Sequence, residues 1–230
     1  MLSARSLALC ATAALLLPVA GHAARPLVTE DAGVLAPSDC ELEGFAGHHR
    51  EDTTEVTAGA QLGCGVGFGT QATLAFVRGQ ETEEPSTRAV SLGLKTALPW
   101  WKDGPAEWAI AMTLGHERRV GGDTAELTAN VVLVATGKLS EALTWHANLG
   151  WLNHRPTRVT TTTWNLAGEM AVSSLVDLTA EFYGDDRARP WLAAGVRFNG
   201  GKNWNLNAAY GAQPAEPHAR QFTVGVKFAF

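Results

Sequence analysis

The chain has 230 residues, a hydrophobic content of 46% and a formal net charge of −5 at pH 7. It carries no basic patch, which argues against a nucleic-acid partner, and beyond residue 24 no segment approaches the apolar length of a transmembrane helix. Glycine is abundant at 24 residues and tryptophan reaches 8, which favours many short strands in a barrel or a sandwich.

Residues 1–23 have the pattern of a secretory signal peptide. Arg5 supplies the positive charge, residues 7–20 form the apolar stretch, and Gly21-His22-Ala23 offers small residues for cleavage. The alternative is an anchoring helix, which the short apolar stretch disfavours. We therefore expect an exported protein.

Residues 24–39 form an extended lead-in, which we expect to lie in the periplasm ahead of a barrel formed by residues 40–230. It contains Arg25-Pro26-Leu27-Val28-Thr29-Glu30-Asp31-Ala32-Gly33 and is followed by Cys40-Glu41-Leu42-Glu43. These stretches resemble the start of a family of bacterial outer-membrane proteins labelled after the meta pathway of phenol degradation. Members carry a proline-leucine-x-threonine-acid-aspartate-alanine-glycine segment before a first strand containing leucine-glutamate. Glu30 stands where aspartate is more usual.

The resemblance implies an outer-membrane barrel that transports hydrophobic or aromatic compounds. A second stretch, residues 180–190, is similar to the ninth-to-tenth-strand region of the same family. The substrate class comes from the resemblance alone, since nothing in the residue pattern predicts it.

Alternation of apolar and polar residues predicts about twelve strands beyond residue 39. Most span about 9–13 residues, enough for a tilted strand to cross a bilayer and longer than the roughly 5–6 residues usual in soluble proteins. The predicted strands are 40–50, 54–64, 67–78, 87–98, 106–118, 124–136, 142–153, 161–173, 175–184, 190–199, 203–211 and 220–230. Connections after odd-numbered strands are predicted to be longer, as expected of outer loops opposite short periplasmic turns, with residues 99–105 as the exception.

Cys40 and Cys64 lie opposite each other if strands 40–50 and 54–64 form a hairpin. Cross-strand partners are close enough for a disulfide, and export permits one. The alternative is two unrelated free thiols. Two cysteines alone are too few for a metal site.

Side chains of alternate residues point to opposite faces of a strand. We expect the apolar set to face lipid and the polar set to face the lumen, because charge on the lipid face is costly at mid-depth. On this phase the inward-facing charges are Glu41, Glu43, Glu55, Lys95, Glu107, Glu126, Glu169, Asp177, Glu181, Arg197 and Lys227.

Two interpretations of these inward charges stay open. They are either an ion-pair network that fills and stiffens the barrel, or a permeation path whose acidic bias favours cations or neutral polar solutes. Arg78, by contrast, faces outward at a strand end, a position tolerable only near the lipid headgroups.

The last strand, Gln221 to Phe230, alternates without a break and ends on an aromatic residue. Such a strand resembles the closing strand of outer-membrane barrels, which the barrel-assembly machinery recognises. Phe230 is therefore the candidate membrane-insertion signal.

The chain lacks the sequence patterns of the enzymes we considered. No serine occupies a Gly-x-Ser-x-Gly setting, no His-Glu-x-x-His occurs, and the histidines are scattered. We predict no catalytic residue, no cofactor and no metal.

The sequence therefore predicts an all-β, antiparallel up-and-down transmembrane β-barrel in the outer membrane of a Gram-negative bacterium. Its predicted partners are outer-membrane lipid, the assembly machinery and a small solute, and its predicted role is that of a passive channel or transporter. The alternative is a structural or surface-interaction barrel with a plugged lumen; a lipid hydrolase is a weaker alternative.

Overall fold

A computed structural model describes residues 27–99, 104–122, 125–155, 157–215 and 218–230. The predicted signal peptide lies outside them. Within the described residues, twelve antiparallel strands close into a barrel, which confirms the predicted fold. They are β1 (Cys40–Arg50), β2 (Thr54–Gly67), β3 (Thr70–Glu81), β4 (Thr87–Ala97), β5 (Glu107–Arg119), β6 (Ala125–Lys138), β7 (Leu143–Arg155), β8 (Val159–Ala171), β9 (Val176–Asp185), β10 (Trp191–Asn199), β11 (Trp204–Ala212) and β12 (Arg220–Ala229). No helix in the described part of the chain is long and apolar enough to span a membrane.

Each strand pairs with its neighbours in sequence, and β1 pairs with β12 to close the sheet. The Cys40 N–H donates to the Phe230 carbonyl at 2.8 Å, and the Phe230 N–H donates to the Cys40 carbonyl at 2.9 Å. We call the end of the barrel that holds Cys40 and Phe230 the terminal rim. The opposite end, where Arg50 pairs with Arg220, is the distal rim.

The third strand begins three residues later than predicted, at Thr70 rather than at residue 67. The reason is the turn that precedes it: Gly67, Phe68 and Gly69 have φ of 91°, 54° and 66°. Residues with a side chain rarely adopt positive φ within a strand, whereas glycine does so without steric cost. The turn exposes Phe68 completely at the terminal rim.

The connections differ less in length than predicted. The one after β3 spans residues 82–86 rather than 79–86, and the longest, 98–106 after β4, is the one that the sequence set apart from the alternation. The strands continue further toward the distal rim than predicted, because backbone pairing does not require apolar side chains. Polar Gln80 and Glu81, for example, still pair in register with β2.

The outward face of the barrel is a continuous apolar band. Leu92 and Leu114 are 62% and 66% exposed. Other exposed members of the band include Leu42, Leu62, Phe76, Met112, Trp151, Leu166, Phe182, Leu206, Tyr210, Phe222 and Phe228. The buried polar and charged side chains of the strands alternate with this set and point into the lumen, as the period of two predicts.

A disulfide joins Cys40 and Cys64, as predicted. The two residues are direct register partners of β1 and β2, and their Cα atoms are 4.1 Å apart. Because Cys40 also pairs with Phe230, the bridge links β2 to the strand at which the barrel closes.

We expect the double substitution C40S/C64S to leave a folded but less stable barrel. The bridge closes a loop with a sequence separation of 24 residues. The chain-entropy model assigns about 3 kcal/mol to a loop of this size. The measurement is the thermal midpoint of unfolding in detergent, by circular dichroism, with and without reductant.

Reductant should lower the midpoint of the wild-type chain to that of C40S/C64S and leave the variant unchanged. Equal midpoints for the oxidised wild type and the variant would show that the bridge does not stabilise the barrel.

Candidate functional site

The lumen of the barrel is occupied by residues 27–36, which we call the inner segment. The sequence predicted this stretch as part of a periplasmic lead-in. Its backbone instead hydrogen-bonds to lumen side chains of β9, β7, β6 and β3. Leu27, Thr29 and Ala32 are 5%, 2% and 3% exposed, so the segment is enclosed rather than laid across the rim.

Glu181 on β9 holds the deepest part of the inner segment. Its Oε1 accepts the Val28 N–H at 2.8 Å. Its Oε2 accepts the Thr29 N–H at 3.0 Å and the Thr29 hydroxyl at 2.8 Å. Hydrogen bonds to a charged acceptor are stronger than those to a neutral one, so Glu181, with three donors, anchors the segment.

Asn148 on β7 both accepts a hydrogen bond from the backbone of Glu30 and donates one to it. Its Oδ1 accepts the Glu30 N–H at 2.7 Å, and its Nδ2 donates to the Glu30 carbonyl at 2.9 Å. Further along, the Ala32 N–H donates to Oγ1 of Thr136 at 2.9 Å, and that hydroxyl also contacts Nδ1 of His146 at 2.9 Å. Side chains of the barrel thus make the hydrogen bonds to the segment's backbone that a neighbouring strand would otherwise make.

Lys95 on β4 offsets part of the negative charge at the centre of the segment. Its Nζ donates to the Asp31 carbonyl at 3.1 Å and lies 3.7 Å from a carboxylate oxygen of each of Glu30 and Asp31. On β3, Gln71 accepts the Leu35 N–H through Oε1 at 3.1 Å. Lys95 was predicted to be a lumen charge, but its partners were missed because the segment was expected outside the barrel.

Gly65 marks the place where the segment crosses β2 at the terminal rim. The Ser38 N–H donates to the Gly65 carbonyl at 3.1 Å, and the Gly65 N–H donates to the Asp39 carbonyl at 2.9 Å. A Cβ at this position would collide with the carbonyl oxygens of Leu35 and Ala36. The absence of a side chain therefore leaves the entry path open.

Two further ion-pair groups lie in the terminal half of the lumen. Lys227 is 3.1 Å from Glu41 and 3.8 Å from Glu43, and both carboxylates are buried.

The second group centres on Arg197. It donates to both oxygens of Glu169, at 2.7 and 2.9 Å, and lies 3.5 Å from Asp177. Such pairs fix the wall, and because each cation faces two carboxylates, this half of the lumen keeps an excess of acidic side chains.

The distal half of the lumen carries carboxylates that make no such ion pairs. Glu55 and Glu81 are direct register partners on β2 and β3, and Glu117 and Glu126 are partners on β5 and β6. In the described part of the chain no Lys or Arg nitrogen lies within 4.0 Å of a carboxylate oxygen of Glu55, Glu117 or Glu126. We call these four residues the acidic wall.

Two members of the acidic wall were missed in the sequence. Glu117 has the same phase as Glu107 on β5, so the alternation of this strand would have been enough to predict that it points into the lumen. Glu81 was missed because strand 67–78 was ended too early. Glu107, which was predicted to be a lumen charge, lies exposed at the terminal rim.

Aromatic side chains line the facing part of the distal lumen. The rings of Tyr183 on β9 and Trp191 on β10 are parallel, with centroids 6.2 Å apart, and His49 on β1 lies 5.5 Å from Trp191. The Gln221 amide donates to the Tyr183 hydroxyl. These residues form the aromatic wall.

The inner segment contributes to the aromatic wall, because Val28 packs against Tyr183 and Trp191 together with Ala193 and Ala219. An apolar surface inside the lumen was not foreseen in the sequence, since Tyr183 and Trp191 come from the ends of two strands.

A cavity of about 420 Å³ lies beside the inner segment. It reaches Glu55 and Glu117 of the acidic wall and Tyr183 and Trp191 of the aromatic wall. A space of this size accommodates a small molecule and presents an anionic side and an apolar side to it.

The described residues bring no metal-binding group together: no cluster of three or more His, Cys, Asp and Glu has suitable geometry. His49, His146 and His154 belong to the inward phase of their strands, whereas His48 and His116 belong to the outward phase.

The chain is similar to one protein family in sequence and to several outer-membrane barrels in structure. The family described as Uncharacterised conserved protein UCP029691 matches residues 11–230. No curated protein is significantly similar to the chain in sequence. The COG4313 outer membrane channel from Pseudomonas putida F1 aligns with a TM-score of 0.61 at 9% identity, over 89% of this chain and 100% of that chain.

Two porins align almost as well. The KdgM porin in complex with disordered oligogalacturonate gives a TM-score of 0.59 at 11% identity, over 82% of this chain and 99% of that chain. The NanC porin gives 0.58 at 10% identity, over 81% and 98%. At these identities the likeness establishes a shared fold, that of the outer-membrane porin-type barrel.

We expect E181A to release the deep end of the inner segment. It removes three hydrogen bonds to a charged acceptor. A loss of about 2 kcal/mol or more should raise the population of the released segment roughly thirtyfold. The measurement is the rate at which a thiol reagent labels a cysteine at position 27 in the purified L27C barrel, because Leu27 is buried and the native Cys40 and Cys64 are bridged.

The matched control is E107A, which removes an exposed carboxylate at the rim. Labelling should accelerate in L27C/E181A and not in L27C/E107A. Equal rates in all three backgrounds would show that Glu181 does not hold the segment.

Proposed function

We propose that this chain, which belongs to the family described as Uncharacterised conserved protein UCP029691, is a channel for small molecules in the bacterial outer membrane. The observation that carries the proposal is a closed barrel with an apolar exterior, enclosing a polar lumen with a cavity of about 420 Å³. A structural barrel needs no such space.

The apolar band supports the membrane location. Exposed side chains such as Leu92 at 62% and Leu114 at 66% recur around the whole circumference. Burying each such side chain in an apolar medium is favourable by about 1.5–3 kcal/mol. A contiguous apolar surface of this extent is not found on soluble monomers. Closure of the sheet also gives every strand two hydrogen-bonded neighbours, so that no strand edge with unpaired backbone groups faces the lipid.

The last strand supports export to that membrane. Phe222, Val224 and Phe228 are exposed on the outward face, and the strand ends with Phe230 next to Cys40. We propose that the barrel-assembly machinery recognises this strand. The signal peptide proposed for residues 1–23 would deliver the chain to the periplasm.

The inner segment acts as the gate of the proposed channel. It crosses the lumen through contacts to β9, β7, β4 and β3, which narrows the path on the terminal side of the cavity. These polar contacts are hydrogen bonds and ion pairs, which water can replace, while Val28 and Ala32 also pack against apolar side chains of the wall. Passage of a solute therefore requires the segment to shift, and the pairs made by Glu181 and Lys95 contribute to the resistance to that shift.

The solute is proposed to be small, neutral or cationic, with an apolar part. The acidic wall disfavours anions, since four carboxylates face the distal lumen. Tyr183 and Trp191 offer ring faces, on which apolar groups pack and cations are attracted. The resemblance of residues 25–33 to the phenol meta-pathway family supports an aromatic solute.

We expect removal of residues 27–36 to increase single-channel conductance in planar bilayers. The deletion clears the lumen but keeps Pro37 and the Gly65 contacts at the rim. The full-length chain should show small or intermittent currents, and the deletion should show larger and steadier ones. The double variant E181A/N148A, which keeps the whole chain, should lie between them.

If neither form conducts although both fold as heat-modifiable barrels, the channel proposal fails and a barrel that acts through its surface is favoured. If lipid hydrolysis accompanies the absence of conductance, the protein is an enzyme.

We expect E117Q to reduce the preference of the channel for cations over anions, measured as the reversal potential in a salt gradient. One charge about 8 Å from the ion path in water is worth about half a kcal/mol, or roughly a twofold change in the permeability ratio. E107Q removes a carboxylate from the same strand and the same phase at the opposite rim, and should change the ratio less. The reverse order would place the selective region at the terminal rim.

A further inference from the structure

The ionised side chains on the outward face of the described strands are all arginines, and all lie near the distal rim. They are Arg50, Arg78, Arg88, Arg118, Arg155 and Arg220. Aspartate and glutamate are absent from the outward phase of these strands. A membrane protein whose lipid-facing charges have one sign and one level is adapted to one chemical layer of the bilayer.

Three of these arginines stand side by side. Arg78 on β3 is the register partner of Arg88 on β4, and Arg88 is the register partner of Arg118 on β5. We call Arg78, Arg88 and Arg118 the arginine row. Direct register partners in an antiparallel sheet have Cβ atoms about 4.5–5.5 Å apart, and like charges at this distance destabilise the pair.

Within the described chain, no ion pair offsets the charge of Arg78 or Arg88. A carboxylate oxygen of the nearby Glu84 lies 2.9 Å from the guanidinium of Arg119, with which it forms an ion pair. Arg118 donates from Nε to the Gly122 carbonyl at 3.2 Å, which leaves its positive charge in place. All three arginines of the row are exposed. No acidic side chain of the described residues therefore offsets the repulsion within the row.

The row lies at the edge of the apolar band. Phe76, Leu92 and Leu114 belong to the same three strands, lie closer to mid-barrel and are 57%, 62% and 66% exposed. An anion bound by the row would hold its apolar part, if it had one, against these side chains. This arrangement suits a lipid better than a free ion.

We propose that the arginine row binds the phosphate of a membrane lipid that carries a phosphomonoester, in the leaflet next to the distal rim. Guanidinium groups bind phosphate oxygens in bidentate pairs. A phosphomonoester carries a charge of about −1.5 to −2 at pH 7, which matches three adjacent arginines better than the single charge of a phosphodiester. The inference rests on the membrane location in the proposed function but not on conduction.

The test is native mass spectrometry of the purified barrel in detergent, titrated with lipid A, whose phosphates are monoesters. We expect R88Q, which removes the centre of the row, to weaken binding about tenfold or more, since charge-assisted contacts are lost. The matched control is R155Q. Arg155 is also outward and exposed near the distal rim, but its register partner on β6 is Leu127 rather than an arginine. It should change binding less than about twofold.

Two lipid comparisons complete the design. Binding to the wild-type barrel should fall strongly for lipid A stripped of its phosphates and for phosphatidylglycerol, a phosphodiester. Inorganic phosphate at millimolar concentration should not displace lipid A, because it lacks the apolar part. R88K, which keeps the charge but loses the bidentate geometry, should bind with intermediate affinity.

Equal weakening by R88Q and R155Q would overturn the proposal, because it would reveal diffuse attraction rather than a site. Equal binding of dephosphorylated lipid A would overturn it as well. Unchanged heat modifiability of R88Q shows that the variant is folded. This experiment and the channel experiment can fail separately. Conductance can be measured in R88Q whether or not the variant binds lipid, and a barrel that does not conduct can still bind lipid A through the arginine row.

Discussion

The constraint on which the structure depends is that every strand must find backbone partners on both sides. Pairing of β1 with β12 meets it, and the two hydrogen bonds between Cys40 and Phe230 complete the seam at the terminal rim. Closure fixes the register all round, and the register assigns each side chain to the lumen or to the exterior. The apolar band, the acidic wall and the arginine row all follow from that assignment.

Charge is distributed along the barrel axis as well as across its wall. In the terminal half of the lumen, Lys227, Arg197 and Lys95 hold the carboxylates in fixed pairs. In the distal half, the acidic wall faces inward while arginines stand on the outside. At the distal rim, acidic side chains therefore face a solute in the lumen and basic side chains face a lipid outside, with the sheet between them.

Local alternation was enough to predict the fold, the strand phases and the bridge between Cys40 and Cys64, because these depend on pairing between neighbours. It could not reveal the inner segment, whose residues show no strand period and whose partners, such as Glu181, lie about 150 positions away. The aromatic wall was hidden for a similar reason, since Tyr183 and Trp191 become neighbours only through register. The row formed by Arg78 and Arg88 required the pairing of three strands to be known.

The seam between β1 and β12 also governs the order in which the molecule can form. Each other strand pair is a hairpin of near neighbours, but this pair joins Glu41 to Ala229, close to the two ends of the described chain. Contacts so distant in sequence are slow to form, because the entropy of the intervening chain must be lost first. The hairpin held by Cys40 and Cys64 can be complete long before then. We therefore expect circularisation to be the final event of folding, and until it occurs β1 keeps an open edge to which another polypeptide can add a strand.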